Sequence, residues 1–234
     1  MYGLLQKLAA EFLGTFGLIF VAGGAVCADR YLQLQNLTRF DLLGIALAYG
    51  LATAFMVTAF AHVSGGHLNP AVTVGLWVTR RIGTLQGLFY CLAQLLGSVV
   101  AAYLLVAIVP EQVWRPIGLG TPDLAMDFTR WHAMALEAAM AFFVVLVYFA
   151  TILDERGALS KIGGLAIGLV VMADVLVGAP FVGASAANPA RSFGTALASR
   201  HWQNNGVYWI GPLFGGVVAG VIYDRLFLSD QLPI

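Results

Sequence analysis

The sequence predicts an all-α membrane protein with six transmembrane helices and two re-entrant half-helices, arranged as an inverted repeat. Three observations lead to this fold class. First, 60% of the 234 residues are hydrophobic and only 10% are charged, whereas soluble globular domains are about 25% charged. Second, long apolar stretches recur along the chain. Third, the tripeptide Asn-Pro-Ala occurs once in each half of the sequence.

The charge balance limits the partners of the chain. Twelve Lys and Arg residues equal twelve Asp and Glu residues, so neither a basic surface for nucleic acid nor an acidic tail is indicated. The expected partner is membrane lipid. Cys27 and Cys91 are far apart and have no metal-binding spacing, so we expect no metal site, no disulfide framework and no cofactor.

Six apolar stretches are long enough to cross about 30 Å of hydrocarbon, which takes roughly 20 helical residues. They lie near residues 7–28, 40–61, 82–109, 131–153, 162–177 and 208–228. An even number of spans places both termini on the same side. The twelve basic residues divide equally between the two sides, so the positive-inside rule leaves the orientation open.

The two halves of the chain, about 7–109 and 131–228, contain the same features in the same order. Each half has an acidic residue in its first span and an Asn-Pro-Ala motif after its second span: Glu11 with Asn69, Pro70 and Ala71, and Glu137 with Asn188, Pro189 and Ala190. Because each half has three spans, an odd number, the second half must enter the membrane upside down. Residues 1–234 are therefore expected to form one domain built from inverted repeats.

Each motif is followed by about ten moderately apolar residues, 72–81 and 191–200, which is too short to span a bilayer. Asn is a favoured helix N-cap and Pro suits the first turn, so each motif predicts the start of a half-helix. Inverted symmetry brings the two N-termini together, each with about +0.5 of an elementary charge. A cation would be disfavoured at that point, whereas water could accept hydrogen bonds from the amides of Asn69 and Asn188.

Four segments, 9–16, 64–73, 188–192 and 211–213, resemble the aquaporin (major intrinsic protein) family, and the resemblance covers essentially the whole chain. It implies an aquaporin-like bundle of six tilted helices, assembled as a homotetramer with one pore in each subunit. It also implies cytoplasmic termini. The short termini, with no long regulatory tail, favour a location in the cell (plasma) membrane. The implied function is a passive channel for water that excludes ions and protons.

The resemblance further implies a selectivity filter around Arg191, which follows the second motif directly. The second-span position of the filter falls on Tyr49. The fifth-span position, which is His in strict water channels, falls on Val175, or on Leu176 if the gap lies elsewhere. A filter without His should be wider or less polar, so hydrogen peroxide or ammonia is expected to pass in addition to water.

Three features near the second motif bear on the filter and on the substrate. The segment 174–188 is one residue longer than the common family pattern, so the loop position of the filter is Ser185 or Ala184. Ser192 stands where glycerol channels usually have Asp, which ranks a glycerol-type facilitator lower. Asp174 faces either a loop partner or the pore entrance.

The remaining site residues have structural roles by resemblance. Glu11 and Glu137 are expected to accept hydrogen bonds from the backbone of the two re-entrant loops. His67 is expected to face the pore through its backbone carbonyl.

Three other function classes are alternatives to a passive channel. An ion-coupled secondary transporter also uses inverted repeats and broken helices, and flux that depends on an ion gradient would favour it. Isolated acids and the lack of a nucleophile–base pair or phosphate loop argue against an enzyme. A non-conducting adhesion or junction role is the third alternative.

Overall fold

The structure is a computed structural model that describes residues 2–157, 162–183 and 187–228. Within these ranges the regular structure is helical, and six helices are long and apolar enough to cross a membrane. The long helices are α1 Leu4–Leu34, α2 Asp41–Ser64, α4 Thr84–Ile108, α6 Arg130–Tyr148, α7 Gly163–Val182 and α9 Val207–Tyr223. The shorter ones are α3 Pro70–Val78, α5 Glu111–Trp114 and α8 Pro189–Ser199. Short π-helical segments extend α6 to Leu153 and α9 to Leu228.

The predicted fold class is confirmed, with differences at the ends of elements. Helix α1 continues to Leu34, six residues beyond the predicted end at residue 28. Asp29 is tolerated inside this helix because its carboxylate accepts hydrogen bonds from the Arg39 side chain at 2.9 Å and from the Asp41 N–H at 3.0 Å. Helix α3 ends at Val78 rather than at residue 81, and Arg80 then adopts a left-handed conformation with φ 60°.

The helix contacts follow the inverted repeat. Helix α1 packs on α2 and α4, just as α6 packs on α7 and α9. The half-helix α3 packs against α9 of the other repeat, and α8 packs correspondingly against α4. Exchanging the two repeats therefore reproduces the same set of contacts, and each half-helix is held by the repeat to which it does not belong.

The central crossing between the repeats joins α2 and α7 through glycines. A Cβ atom on Gly50 would lie 2.6 Å from the carbonyl oxygen of Gly168, and one on Gly168 would approach Gly50 more closely still. Backbones this close leave no room for a side chain. The crossing matters for the site because Tyr49 precedes Gly50 directly, and Val175 lies two turns beyond Gly168 on α7.

A long loop, 115–129, packs over the end of the bundle opposite the termini. The Ala125 N–H donates to the carbonyl oxygen of Phe181 at 2.9 Å. Asp123 accepts from His201 at 2.8 Å and from the Asn204 amide at 2.9 Å. The loop is thus fastened to the end of α7 and to the segment that follows α8.

Candidate pore and constriction

The two Asn-Pro-Ala motifs begin α3 and α8 as capped helix starts. The Asn69 side-chain oxygen accepts a hydrogen bond from the Ala71 N–H at 2.8 Å, and Asn188 accepts from the Ala190 N–H at 3.0 Å. Pro occupies the first helical position in both cases, where its missing N–H has no cost. Both asparagines are buried, so each positive helix end lies inside the protein.

The same asparagines connect the two repeats. The Asn69 amide nitrogen donates to the carbonyl oxygen of Ala187 at 2.8 Å, and the Asn188 amide nitrogen donates to that of Leu68 at 3.0 Å. These bonds are reciprocal, because each asparagine bonds to the residue that precedes the other. Each NH₂ group has a second hydrogen, which remains for a molecule in the pore.

The residues before the asparagines share an uncommon backbone conformation. Leu68 has φ 51° and Ala187 has φ 38°, a left-handed region that non-glycine residues seldom adopt. In each repeat a buried glutamate holds the N–H of this residue: Glu11 accepts from Leu68 and Glu137 accepts from Ala187, both at 2.8 Å. A strained backbone conformation persists only where the surrounding contacts hold it in place. These two carboxylates provide such contacts.

Glu11 holds the first loop through several donors. Its carboxylate also accepts from the His67 N–H at 3.0 Å, the Ser64 hydroxyl at 2.6 Å and the Gln94 amide at 2.7 Å. Its side chain is fully buried, and a buried carboxylate needs such partners. The direction of the His67 carbonyl toward the pore stays a prediction.

His67 is packed by its side chain as well. Its ring Nδ1 lies 3.1 Å from the Thr73 hydroxyl oxygen, and its ring stands edge-on to those of Tyr90 and Tyr148 at centroid distances of 5.0 and 5.6 Å. The hydroxyls of these tyrosines donate to the carbonyl oxygens of Ser64 and Gly65. The first re-entrant loop is therefore held by Glu11 and by the two tyrosines.

A narrow cavity runs past the two motifs. Its volume is about 30 Å³, which admits water because about 10–15 Å³ on this measure holds one molecule. One wall is polar and formed by the first re-entrant loop and the two asparagines, while the other is apolar and formed by the long helices. The lining residues are Leu18, Tyr49, Thr53, Val57, Gly66, His67, Leu68, Asn69, Val72, Val144, Tyr148, Ile167, Val171, Ala187 and Asn188.

Arg191 is buried close to Tyr49, where the sequence predicts the constriction. It is 1% exposed, and its guanidinium carbon lies 5.8 Å from the centroid of the Tyr49 ring. Its Nη2 donates to the carbonyl oxygen of Gly120 at 2.5 Å. Val175 is buried in the same apolar cluster as Tyr49, so three of the predicted filter residues come together.

The polar atoms of this constriction are only partly paired. The Nε and Nη1 atoms of Arg191 and the hydroxyl of Tyr49 are buried and make no hydrogen bond within the described part of the chain. Unpaired buried donors are rare and call for an explanation. A polar molecule passing through the constriction would pair with them.

The other residues predicted near the filter do not all join Tyr49, Val175 and Arg191. Leu176, the alternative to Val175, is only half-buried and packs at the edge of the cluster. Ser185 and Ala184 lie outside the described residues. Asp174 is buried on α7 beside Val175.

Several supporting residues were not identified from the sequence. Gln94 and Ser98 are fully buried on α4, and Ser98 donates to the carbonyl oxygen of Ala190 at 2.5 Å. Two polar residues four positions apart within an apolar span would have indicated a buried polar face. No sequence pattern indicates the role of Gly120, because its contact with Arg191 involves only its backbone carbonyl.

Comparisons with known proteins agree with this geometry. A family model described as major intrinsic protein matches residues 2–223. The chain is 42% identical over 230 residues to aquaporin TIP4-4 of Zea mays, covering 97% of this chain and 89% of that protein. It is also 42% identical over 239 residues to probable aquaporin TIP1-1 of Oryza sativa subsp. japonica, covering 99% and 92%.

A solved structure supports the fold. The aquaglyceroporin from Plasmodium falciparum superimposes with a TM-score of 0.82 at 24% sequence identity, covering 98% of this chain and all of that one. The family match extends over nearly the whole sequence and includes both motifs and Arg191. This chain therefore belongs to the major intrinsic protein family.

Proposed function

We propose that the protein is a passive membrane channel for water that excludes ions and protons. The observation that carries the proposal is the meeting of two capped helix starts, at Asn69 and Asn188, in one narrow cavity. A water molecule there can accept hydrogen bonds from both amides. The proposed activity is permeation down a gradient, without a catalysed reaction.

Ion exclusion follows from the electrostatics of the same point. Two positive helix ends face the cavity, and Arg191 adds a full positive charge at the constriction. A cation that entered would lose its hydration shell, which is costly in a low-dielectric interior. A water molecule that accepts hydrogen bonds from both asparagines has no free lone pair. It therefore cannot accept a proton from the next water molecule in the pore.

Substrate range depends on the constriction that Tyr49, Val175 and Arg191 form, to which Ser185 would add the loop position. The aliphatic Val175 leaves the wall less polar than an imidazole would. We propose that hydrogen peroxide or ammonia passes in addition to water, and that glycerol passes less readily.

The assembly and location belong to the same proposal. The whole chain, 1–234, forms one channel domain, and four copies associate as a homotetramer. We propose that the protein lies in the cell (plasma) membrane with cytoplasmic termini. Attaching a protease-sensitive tag to either terminus and treating intact cells tests the orientation, since a cytoplasmic tag survives.

The function is tested by stopped-flow light scattering on proteoliposomes of the wild type and of Val175→His. The wild type should swell faster than empty liposomes, with low activation energy and no electrical conductance. Val175→His should retain water entry while peroxide and ammonia uptake falls by roughly tenfold, because the ring adds bulk and narrows the constriction. Val177→Leu, which alters a lipid-exposed residue on the same helix, is the matched control.

Either of two results would contradict this proposal. Water entry no faster than in empty liposomes, from folded protein, would exclude a water channel. Flux that required a sodium or proton gradient would favour an ion-coupled transporter.

A further inference from the structure

Asp174 is a buried carboxylate that none of the roles described above uses. Its residue is 8% exposed, and its Oδ2 atom has no hydrogen-bond partner among the described residues. No ion pair within the described ranges includes it. An unpaired acid inside a membrane span is costly, and such residues commonly mark the path of a solute.

The position of Asp174 on α7 relates it to the pore. Ile167 and Val171 on this helix line the cavity. Asp174 follows them by seven and three residues, which places it on the same helix face. The next residue, Val175, is buried in the same apolar cluster as Tyr49. Asp174 therefore lies on the pore side of α7 at about the level of the constriction.

The chemistry of the constriction otherwise favours solutes with lone pairs. The unpaired guanidinium nitrogens of Arg191 are donors only. Ammonia has three N–H groups and a single lone pair, so the Arg191 donors satisfy one of its four sites and the Tyr49 hydroxyl can accept from one more. Water has as many lone pairs as hydrogens and pairs with its neighbours in single file. An acceptor on the wall therefore matters more for ammonia than for water.

We propose that Asp174 is a specificity-determining residue of the constriction, whose carboxylate accepts N–H hydrogen bonds from ammonia while Arg191 donates to the ammonia lone pair. The proposal rests on the channel function proposed above. It adds a carboxylate acceptor to a constriction in which Tyr49, Val175 and Arg191 together offer one side-chain acceptor, the Tyr49 hydroxyl.

The test compares water entry with ammonia uptake in proteoliposomes, the latter followed by an internal pH dye. Asp174→Leu removes the acceptor at similar volume and should lower the ratio of ammonia to water permeability by roughly tenfold. Asp174→Asn keeps a carbonyl oxygen at the same place, so its ratio should stay within about twofold of the wild type. Val177→Leu, on the lipid side of the same helix, should leave the ratio unchanged.

An unchanged ratio in Asp174→Leu would overturn the proposal, as would an equal fall in the two permeabilities. If that variant does not insert, Asp174→Ala removes the acceptor without adding apolar bulk and gives the same two outcomes. Wild-type protein that passes water but no ammonia would overturn this inference alone. Wild-type protein that passes no water would overturn the channel function itself.

Discussion

At the scale of single residues, the pore depends on side chains that hold backbone atoms in place. Glu11 is the clearest example, because it accepts from two consecutive backbone N–H groups and from two side chains. Removing it would leave the His67 and Leu68 N–H groups without an acceptor, whereas Gln94 and Ser64 keep the Thr73 hydroxyl and the Phe60 carbonyl as partners. Such donors cost about 1–3 kcal/mol each where nothing replaces the lost partner.

We expect Glu11→Ala to lower the free energy of unfolding by roughly 3–5 kcal/mol, the range that breaking a buried charged network costs. Glu11→Gln should cost less, because its amide oxygen still accepts from the loop. Thermal unfolding in detergent measures both variants. Leu13→Ala, which shortens a half-exposed side chain on the same helix, is the control, and an unfolding temperature for Glu11→Ala equal to that of the control would contradict the prediction.

At the scale of elements, the separation of helices sets the position of the constriction. Helices α2 and α7 carry Tyr49 and Val175, and they meet through the backbones of Gly50 and Gly168. No side chain separates the two helices at this crossing. A change in their spacing would therefore move both constriction residues.

Gly168→Ala is expected to lower the free energy of unfolding by about 1–3 kcal/mol, because its Cβ would overlap backbone that cannot move aside. Thermal unfolding again measures the effect. Gly83→Ala is the matched control, since a Cβ there has no atom within 4 Å. Equal unfolding temperatures for the two variants would show that the crossing can widen freely.

The loop 115–129 gives a second prediction at this scale, through pH. Burial by itself raises the pKa of Asp123, but hydrogen bonds from Asn204, the Leu124 N–H and His201 outweigh it, so that this pKa lies below its usual value. A carboxylate with a lowered pKa stabilises the folded state above its unfolded pKa of 3.8, and that contribution is lost as the pH falls through the folded pKa.

We therefore expect the difference in unfolding temperature between His201→Gln and the double variant His201→Gln/Asp123→Asn to be constant between about pH 5 and 8, because both proteins lack the imidazole that pairs with Asp123. It should shrink below about pH 4, where the Asp123 carboxylate becomes protonated as well. A difference that varied between pH 5 and 8 would show that another group controls the attachment of the loop.

At the scale of the whole molecule, the sequence predicted most of the fold because the bilayer requires long apolar spans and because the motif recurs. The ends of the helices were harder to predict, because a polar residue such as Asp29 remains in a helix when tertiary contacts satisfy its hydrogen bonds. Of the site, Tyr49 and Arg191 were predicted to be neighbours and are in contact. The partner of Arg191, the Gly120 carbonyl, was not predictable, because any residue type supplies a carbonyl.

The assembly yields a prediction at this scale. Each chain has its own pair of motifs and its own cavity, so we expect four independent pores in a tetramer. Native mass spectrometry of the detergent-extracted protein should give a mass of about 100 kDa, four times the 24.9 kDa of one chain. A 24.9 kDa species alone, under conditions that preserve other membrane oligomers, would contradict the tetramer.

The reciprocal bonds between Asn69 and Ala187 and between Asn188 and Leu68 also bear on biosynthesis. At the two motifs, the wall of the conduit is closed by residues about 120 positions apart, and the half-helix α3 packs against α9 of the other repeat. A ribosome completes the first repeat well before it makes the second. A nascent chain with only its first three spans inserted therefore has only half of the pore lining and no continuous pore. The membrane acquires a selective pore in one step, when the last helices pack against the first repeat.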